Sequence, residues 1–398
     1  MSKTFPLSSR SPTTSLKQPK ELFCFIRDID GEYMYDEDRI NEENLNYYYL
    51  PDSSLNGTRI DLSAGFSKFK KIDYDDNLPN FKTYLQAIKN YEIKNGNSKL
   101  KANIITFRGI MTRLLTLPYN SQDSLDLNIV KYDGQIFINL DHEIEIKKHE
   151  QETKERAALP IDKQDYLNKC EFSGYKFETI STLPKHWSDC SRQLIERRNK
   201  KIVNNFEQYL SVIRTGIGNI KMILVGEVDG LWDYKPLVHQ DGSPLDHYIE
   251  LKTSKVIENN GQIVNFEKKL FKTWGQCFLM GVKKIIYGLR DDKFVLRTVE
   301  IYDTNEVPLL IKNNPLTNGN NGGNESNKIN CTSALKWYGA VLEWINEQVI
   351  DEDTAYRLSY NSQLKTMILK ELPEEDNQRL RNGEILNEDF INWRESLK

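Results

Sequence analysis

Cysteine is scarce and unpatterned in this sequence: Cys24, Cys170, Cys190, Cys277 and Cys331 are five thiols in 398 residues, with no C-x-x-C pair. An odd, scattered set argues against a disulfide framework or a thiolate zinc site, and fits reduced thiols of cytosol or nucleus. Histidine is equally sparse, and His142, His149, His186, His239 and His247 lack metal-ligand spacing. No apolar run approaches the roughly 20 residues needed to cross a bilayer. The first twenty residues carry Ser, Thr and Pro but no apolar signal core. Neither a membrane contact nor secretion is therefore expected. Positive charge is not in excess either. With 54 Lys and Arg against 58 Asp and Glu, the formal charge is −4, which excludes a global basic field. Contact with nucleic acid has to rest on a local basic lining.

What the chain has is bulk to bury. Hydrophobic residues make up 38%, including 20 Tyr, 16 Phe and 6 Trp, enough for a large core and for faces on which bases stack. The expected organisation is a flexible leader over 1–20 and one catalytic domain over 21–398. Two loose loops are expected, one in the charged, apolar-poor stretch 147–165 and one at 313–330 around Asn318-Gly-Asn-Asn-Gly-Gly-Asn324. Asp133-Gly134 between two apolar runs predicts a hairpin, and Gly216-Ile-Gly-Asn219 predicts another. Ser191 to Phe206 is expected to be helical. Its Arg197, Arg198, Lys200 and Lys201 fit a solvated face, a targeting signal or the lining of an RNA channel.

The stretch from Gly226 to Lys252 organises the rest. It reads G-E-V-D-G-L-W, then a polar loop, then Y-I-E-L-K-T. Ile220 to Asp229 is β-branched and apolar before it turns acidic, so it predicts a buried strand with a charged end. Tyr248 to Thr253 alternates in the same way. Strand alternation puts Glu227 with Asp229, and Glu250 with Lys252. The Pro- and Gly-containing loop between the runs predicts two antiparallel neighbours. Three carboxylates and a lysine then share one patch. Such acids repel unless a cation sits among them, and Mg²⁺ or Mn²⁺ takes hard oxygen ligands of this kind. Metal-assisted phosphoester or phosphoanhydride cleavage is the chemistry implied; a salt-bridged surface hairpin is the structural alternative.

Three further residues bear on that choice. Arg108 stands where the strand Ala102–Phe107 meets a helix, a place from which a guanidinium forks onto phosphate or bridges carboxylates within the fold. Gln276 is a polar residue in the inner half of the apolar helix Phe266–Gly281, and its amide must either tie down backbone or touch substrate. Glu178, in Gly174-Tyr-Lys-Phe-Glu178, reads alone as a surface charge.

Taken in order, Ile105-Thr-Phe-Arg-Gly109, Gly174-Tyr-Lys-Phe-Glu178, Glu227-Val-Asp229, Glu250-Leu-Lys252 and Trp274-Gly-Gln276 resemble the DXO family of RNA 5′-end decapping enzymes. The likeness extends from Leu16-Lys-Gln-Pro-Lys20 and Asn46-Tyr-Tyr-Tyr-Leu-Pro51 to Trp337-Tyr-Gly339, and is nearest to the fungal nuclear branch. The resemblance implies an α/β (α+β-like) fold of mixed, largely antiparallel sheets flanked by helices, with an active site like that of PD-(D/E)xK nucleases. It implies Glu178, Asp229, Glu250 and the Leu251 carbonyl as ligands of Mg²⁺ or Mn²⁺. Glu227 joins through a second ion or a coordinated water, giving two ions. Lys252 positions water, and Arg108 and Gln276 hold the 5′ phosphates or first nucleotide. It implies as substrates 5′-triphosphate RNA, incompletely capped RNA and, in some members, NAD-capped RNA. It also implies a nuclear location and partnership with the XRN-type 5′→3′ exoribonuclease. A metal-dependent DNA nuclease and a non-catalytic exoribonuclease-binding protein are the rival readings.

Overall fold

In the computed structural model, residues 2–35, 45–51, 59–234, 243–317 and 328–398 are described. The apolar run Ile220–Glu227 forms a strand inside a ten-stranded sheet, with Ile104–Phe107 on one side and Gln208–Ile217 on the other. Ile104–Phe107 runs parallel to both its neighbours, Ile220–Glu227 and Gln135–Leu140. Every other pairing in this sheet is antiparallel. Both turns read from sequence are present. Asp133 and Gly134 take positive φ (50° and 72°) between Asp126–Tyr132 and Gln135–Leu140, and Gly218 turns Gln208–Ile217 into Ile220–Glu227.

Tyr248–Lys255 lies in a second sheet of six strands, between Lys284–Arg290 and the two-residue strand Gly230–Leu231. The antiparallel pairing expected between the two acidic strands is therefore corrected. Strand periodicity fixes which face a side chain takes, but not which strand lies alongside. After Glu227 the chain leaves the first sheet through Val228 and Asp229, and it is Gly230–Leu231 that pairs antiparallel with Tyr248–Lys255. The central part of the polar loop, 235–242, lies outside the described residues.

The leader and the first loop also differ from expectation. Lys3–Pro6 is a strand paired with Thr366–Glu371 at one edge of the ten-stranded sheet, and Leu16 begins the strand Leu16–Arg27 beside Gln208–Ile217. Backbone pairing that a four-residue pattern cannot announce holds these residues in place. The stretch 147–165 is helical, within His142–Ala157 and Ile161–Ser181. Asp141 caps the first of these by accepting from the Ile144 amide at 3.1 Å. Glu, Lys, Gln and Arg are good helix formers even without an apolar stripe. The loop expected at 313–330 overlaps the end of the helix Val307–Asn313, while 318–327 lies outside the described residues.

Two apolar cores organise the packing. The larger lies between the ten-stranded sheet and the helices Phe81–Lys94, Arg108–Thr116, Asn260–Met280 and Cys331–Gln348. There Trp337 donates its indole N–H to the Leu114 carbonyl at 2.8 Å. The smaller joins Phe177 and Ile180 of the helix Ile161–Ser181 to Ile249, Leu251 and Ile286 of the second sheet. Gly288 makes that contact possible, since a Cβ there would lie 2.6 Å from the Phe177 ring. Gly288 lies on Lys284–Arg290, the parallel neighbour of Tyr248–Lys255, so this close approach sets Phe177, and Glu178 after it, against the sheet that carries Glu250 and Lys252.

Candidate active site

Four elements converge where the two sheets meet. Ile220–Glu227 ends on Glu227, the crossover supplies Asp229, Tyr248–Lys255 supplies Glu250 and Lys252, and Ile161–Ser181 supplies Glu178. Arg108, at the first position of its helix, reaches the same place over Gly226, where a Cβ would come within 3.1 Å of the arginine stem. A side chain at 226 would crowd both Arg108 and the Met280 sulfur, each 3.1 Å from a Cβ there.

Glu250 lies at the middle. It is buried, accepts from Arg108 NH1 at 3.0 Å through Oε2, and pairs through Oε1 with Lys252 Nζ. Asp229 Oδ2 accepts from the Leu251 amide at 2.7 Å and lies 3.8 Å from Lys252 Nζ. Glu227 Oε2 accepts from Gln208 Nε2 at 3.1 Å. The Glu178 carboxylate makes no hydrogen bond or ion pair among the described residues. Leu251 offers only backbone, because its side chain is packed in the smaller core.

The charges are unbalanced, and the carboxyl groups register it. Burial pushes Glu178 well above the usual carboxylate range, with Asp229 adding to the shift. Burial and then Glu250 push Asp229 up to about 7. Burial raises Glu227, and Arg108 and Lys252 draw it only partly back. Glu250 is the exception: burial raises it, but Lys252 and Arg108 together outweigh burial and hold it below the ordinary value. Burial lowers Lys252, yet Glu250 and Asp229 more than reverse this, so its ammonium stays protonated and acts as a donor.

Four acids against two cations leave an excess of negative charge. Among the described residues no three Asp, Glu, His or Cys side chains close into a ready-made chelate; Lys252 and Arg108 occupy the positions between the acids. The donor set nevertheless suits an oxygen-seeking dication. Among the described residues it is all carboxylate, with no His or Cys ligand, and Glu178 has no competing partner.

Two cavities open on this centre. One of about 750 Å³ is lined by Glu178, Glu227 and Asp229, and the other, of about 380 Å³, by Arg108, Gln276 and Glu227. Arg27, Gln208 and Glu227 line both, so the two cavities adjoin there. Arg108, Glu178, Glu227, Asp229 and Gln276 line one or both of these cavities, and Lys252 touches the buried Glu250. Sequence reasoning missed Gln208, which orients Glu227, and Lys272. Lys272 lies one helical turn before Gln276 on the wall of the smaller cavity and has no ion-pair partner among the described residues. The i, i+4 spacing of Lys272 and Gln276 was the available signal.

Comparison with known proteins agrees with this geometry. The family model described as "RAI1 like PD-(D/E)XK nuclease" matches residues 17–391. The decapping nuclease RAI1 of Scheffersomyces stipitis is 56% identical over the whole of both chains, and that of Saccharomyces cerevisiae 39% identical over 98% of each. The crystal structure of Candida albicans Rai1 in complex with pU5 and Mn²⁺ superposes with a TM-score of 0.95 at 55% identity, covering all of both chains. The mixed sheets, the junction of acids with Lys252 and these full-length likenesses lead to one conclusion: the chain belongs to the RAI1-like PD-(D/E)XK nuclease family.

Proposed function

We propose that this protein is a metal-dependent hydrolase of RNA 5′ ends, which removes pyrophosphate from 5′-triphosphate RNA and opens incomplete or NAD-type caps. The observation that carries this reading is the Arg108–Glu250–Lys252–Asp229 chain of contacts beside a Glu178 carboxylate that has no hydrogen-bond or ion-pair partner among the described residues. It is supported by relatives named decapping nucleases and by the pU5 and Mn²⁺ bound to the Candida albicans protein.

Glu178, Asp229, Glu250 and the Leu251 carbonyl would hold Mg²⁺ or Mn²⁺, with Glu227 serving a second ion. Bound there, the metal supplies a water of lowered pKa and neutralises phosphoryl charge. The chain's own groups do the rest. Lys252 donates hydrogen bonds that orient the attacking water toward phosphorus, and Asp229 and Glu250 fix the ammonium in place. Arg108 spends NH1 on Glu250, while its Nε has no partner among the described residues. Its remaining N–H groups are free to fork onto a 5′ phosphate, and Gln276 adds a polar contact in the same cavity.

Arg108→Lys is expected to lower kcat/KM on triphosphate RNA about 10- to 100-fold, because an ammonium cannot bond Glu250 and phosphate as a planar fork does. An unchanged kcat/KM would remove Arg108 from the phosphate site. The reaction itself is tested by product analysis on triphosphate, unmethylated-cap, methylated-cap and NAD-capped RNA, and on DNA of matched sequence, in Mg²⁺ and in Mn²⁺. Release of pyrophosphate or a cap dinucleotide is expected; cleavage of DNA alone would reject the reading.

Nuclear residence and a stabilising partnership with an XRN-type 5′→3′ exoribonuclease belong to the same proposal, on the family likeness. They predict co-purification with that exoribonuclease and nuclear fluorescence of a tagged chain. A purely cytoplasmic signal would count against both.

A further inference from the structure

The larger cavity has a second feature that the reaction centre does not use. The basic segment Arg197–Lys201 forms its rim. Expected as one helix from Ser191 to Phe206, this segment is instead a short helix, Arg192–Arg197, followed by a 3-10 turn, Arg198–Lys200. That break sorts its cations into two groups.

Arg198 is turned inward. It donates to the carbonyls of Ile180 (Nε, 2.7 Å) and Ile195 (NH1, 2.5 Å) and lies over the Tyr49 ring at 5.4 Å. Lys176 reaches across from the helix Ile161–Ser181 to the Asn199 carbonyl at 2.6 Å. The rim is therefore pinned to the helix that carries Glu178. Lys201 is engaged by Glu207 at 3.8 Å. Arg197 and Lys200 are exposed and have no hydrogen-bond or ion-pair partner among the described residues. They are three residues apart, a spacing that a 3-10 turn sets on one side.

We propose that Arg197 and Lys200 form a track for the sugar–phosphate backbone of the RNA downstream of the reacting 5′ end. This rests on the reading of the site as an RNA 5′-end hydrolase and names how the rest of that substrate is held. The acidic centre repels a polyanion, and two uncommitted cations on the same cavity wall, held rigidly by Arg198 and Lys176, offset that repulsion where the chain leaves. The larger cavity has room for a polymer, and the smaller one, with Arg108 and Lys272, fits an end group. The ligand class is single-stranded RNA several nucleotides long, held by charge and not by sequence.

The test uses the full chain and its R197A/K200A and R197K/K200R variants. Binding of a labelled twenty-nucleotide oligouridylate with a 5′ monophosphate is followed by anisotropy in Ca²⁺ across a salt series. The alanine variant is expected to bind about tenfold more weakly at low salt. Its log–log salt slope should be shallower by about 1.4, since each single-strand phosphate contact contributes roughly 0.7. The charge-conserving variant should behave as wild type. In turnover, the ratio of kcat/KM for triphosphate twenty-mer to that for triphosphate dinucleotide should fall about tenfold with alanine. Equal affinities and equal slopes for wild type and the alanine variant would overturn the track. Wild type that binds with the expected salt slope but hydrolyses nothing would count against the reaction alone.

Discussion

Asp229→Asn is expected to slow 5′-end hydrolysis by about a thousandfold or more while leaving the metal-free protein at least as stable as wild type. The rate loss corresponds to about 4 kcal/mol of barrier, the scale on which preorganised electrostatic groups act. The stability gain has a separate cause. Asn retains an oxygen for the Leu251 amide, which Asp229 now engages at 2.7 Å, and removes one of the mutually repelling charges. Burial and Glu250 push the Asp229 carboxyl up to about 7. A carboxyl whose folded pKa lies above its unfolded one costs nothing below the unfolded value of about 4. It destabilises increasingly as pH rises toward the folded value. In EDTA the melting temperature of D229N should therefore overtake that of wild type between about pH 4 and pH 7. Mn²⁺ should reverse the order, because a ligand present at a hundredfold over its Kd stabilises the competent protein by about 2.7 kcal/mol. Retained hydrolysis, or a collapse of the EDTA melting temperature in the variant, would make Asp229 a structural residue.

The second large effect is on stability alone. Arg394→Ala should cost about 3–5 kcal/mol, because it strands a buried carboxylate. Arg394 and Glu92 are both fully buried, at 0% side-chain exposure, and meet through two parallel bonds of 3.0 and 2.7 Å. Arg394 also donates to Gln135 at 2.9 Å, and Glu92 accepts from the Trp393 indole and the Leu100 amide. None of these residues lines either cavity of the active site. Urea unfolding should therefore show the loss, while kcat measured well below the new melting temperature stays put. The double change Glu92→Gln with Arg394→Met should recover part of the stability, since no charge is left unpaired. A single variant as stable as the parent would mean that water reaches Glu92 and solvates it.

Much of the site was legible because strand alternation is strict. Glu250 and Lys252 had to share a face, and they do, in contact. Glu178 was not legible from local pattern. On its helix it looks like any surface acid, and its place depends on Phe177 packing against Gly288, about 110 residues later in the chain; only the family likeness singled it out. The neighbours of the acidic strands were misjudged because a loop of turn residues joins strands of different sheets as readily as strands of one hairpin. The helix His142–Ala157 escaped notice because its evidence is a cap and a propensity, with no apolar stripe. Gln208 became visible only once the cavity walls were known, whereas Lys272 had left one trace, its i, i+4 spacing from Gln276.

The order of strands in the large sheet carries a consequence for biosynthesis. Asp126–Tyr132 has Gln135–Leu140 as its partner on one side at once, but its other side waits for Ala355–Asn361, roughly 220 residues later. At ribosomal speeds of about 5–20 residues per second, that edge stays bare for roughly ten to forty-five seconds. Throughout that interval a nascent chain presents an unpaired β-edge to its surroundings, so holding chaperones should matter more to the yield of this protein than to one whose strands pair as they emerge.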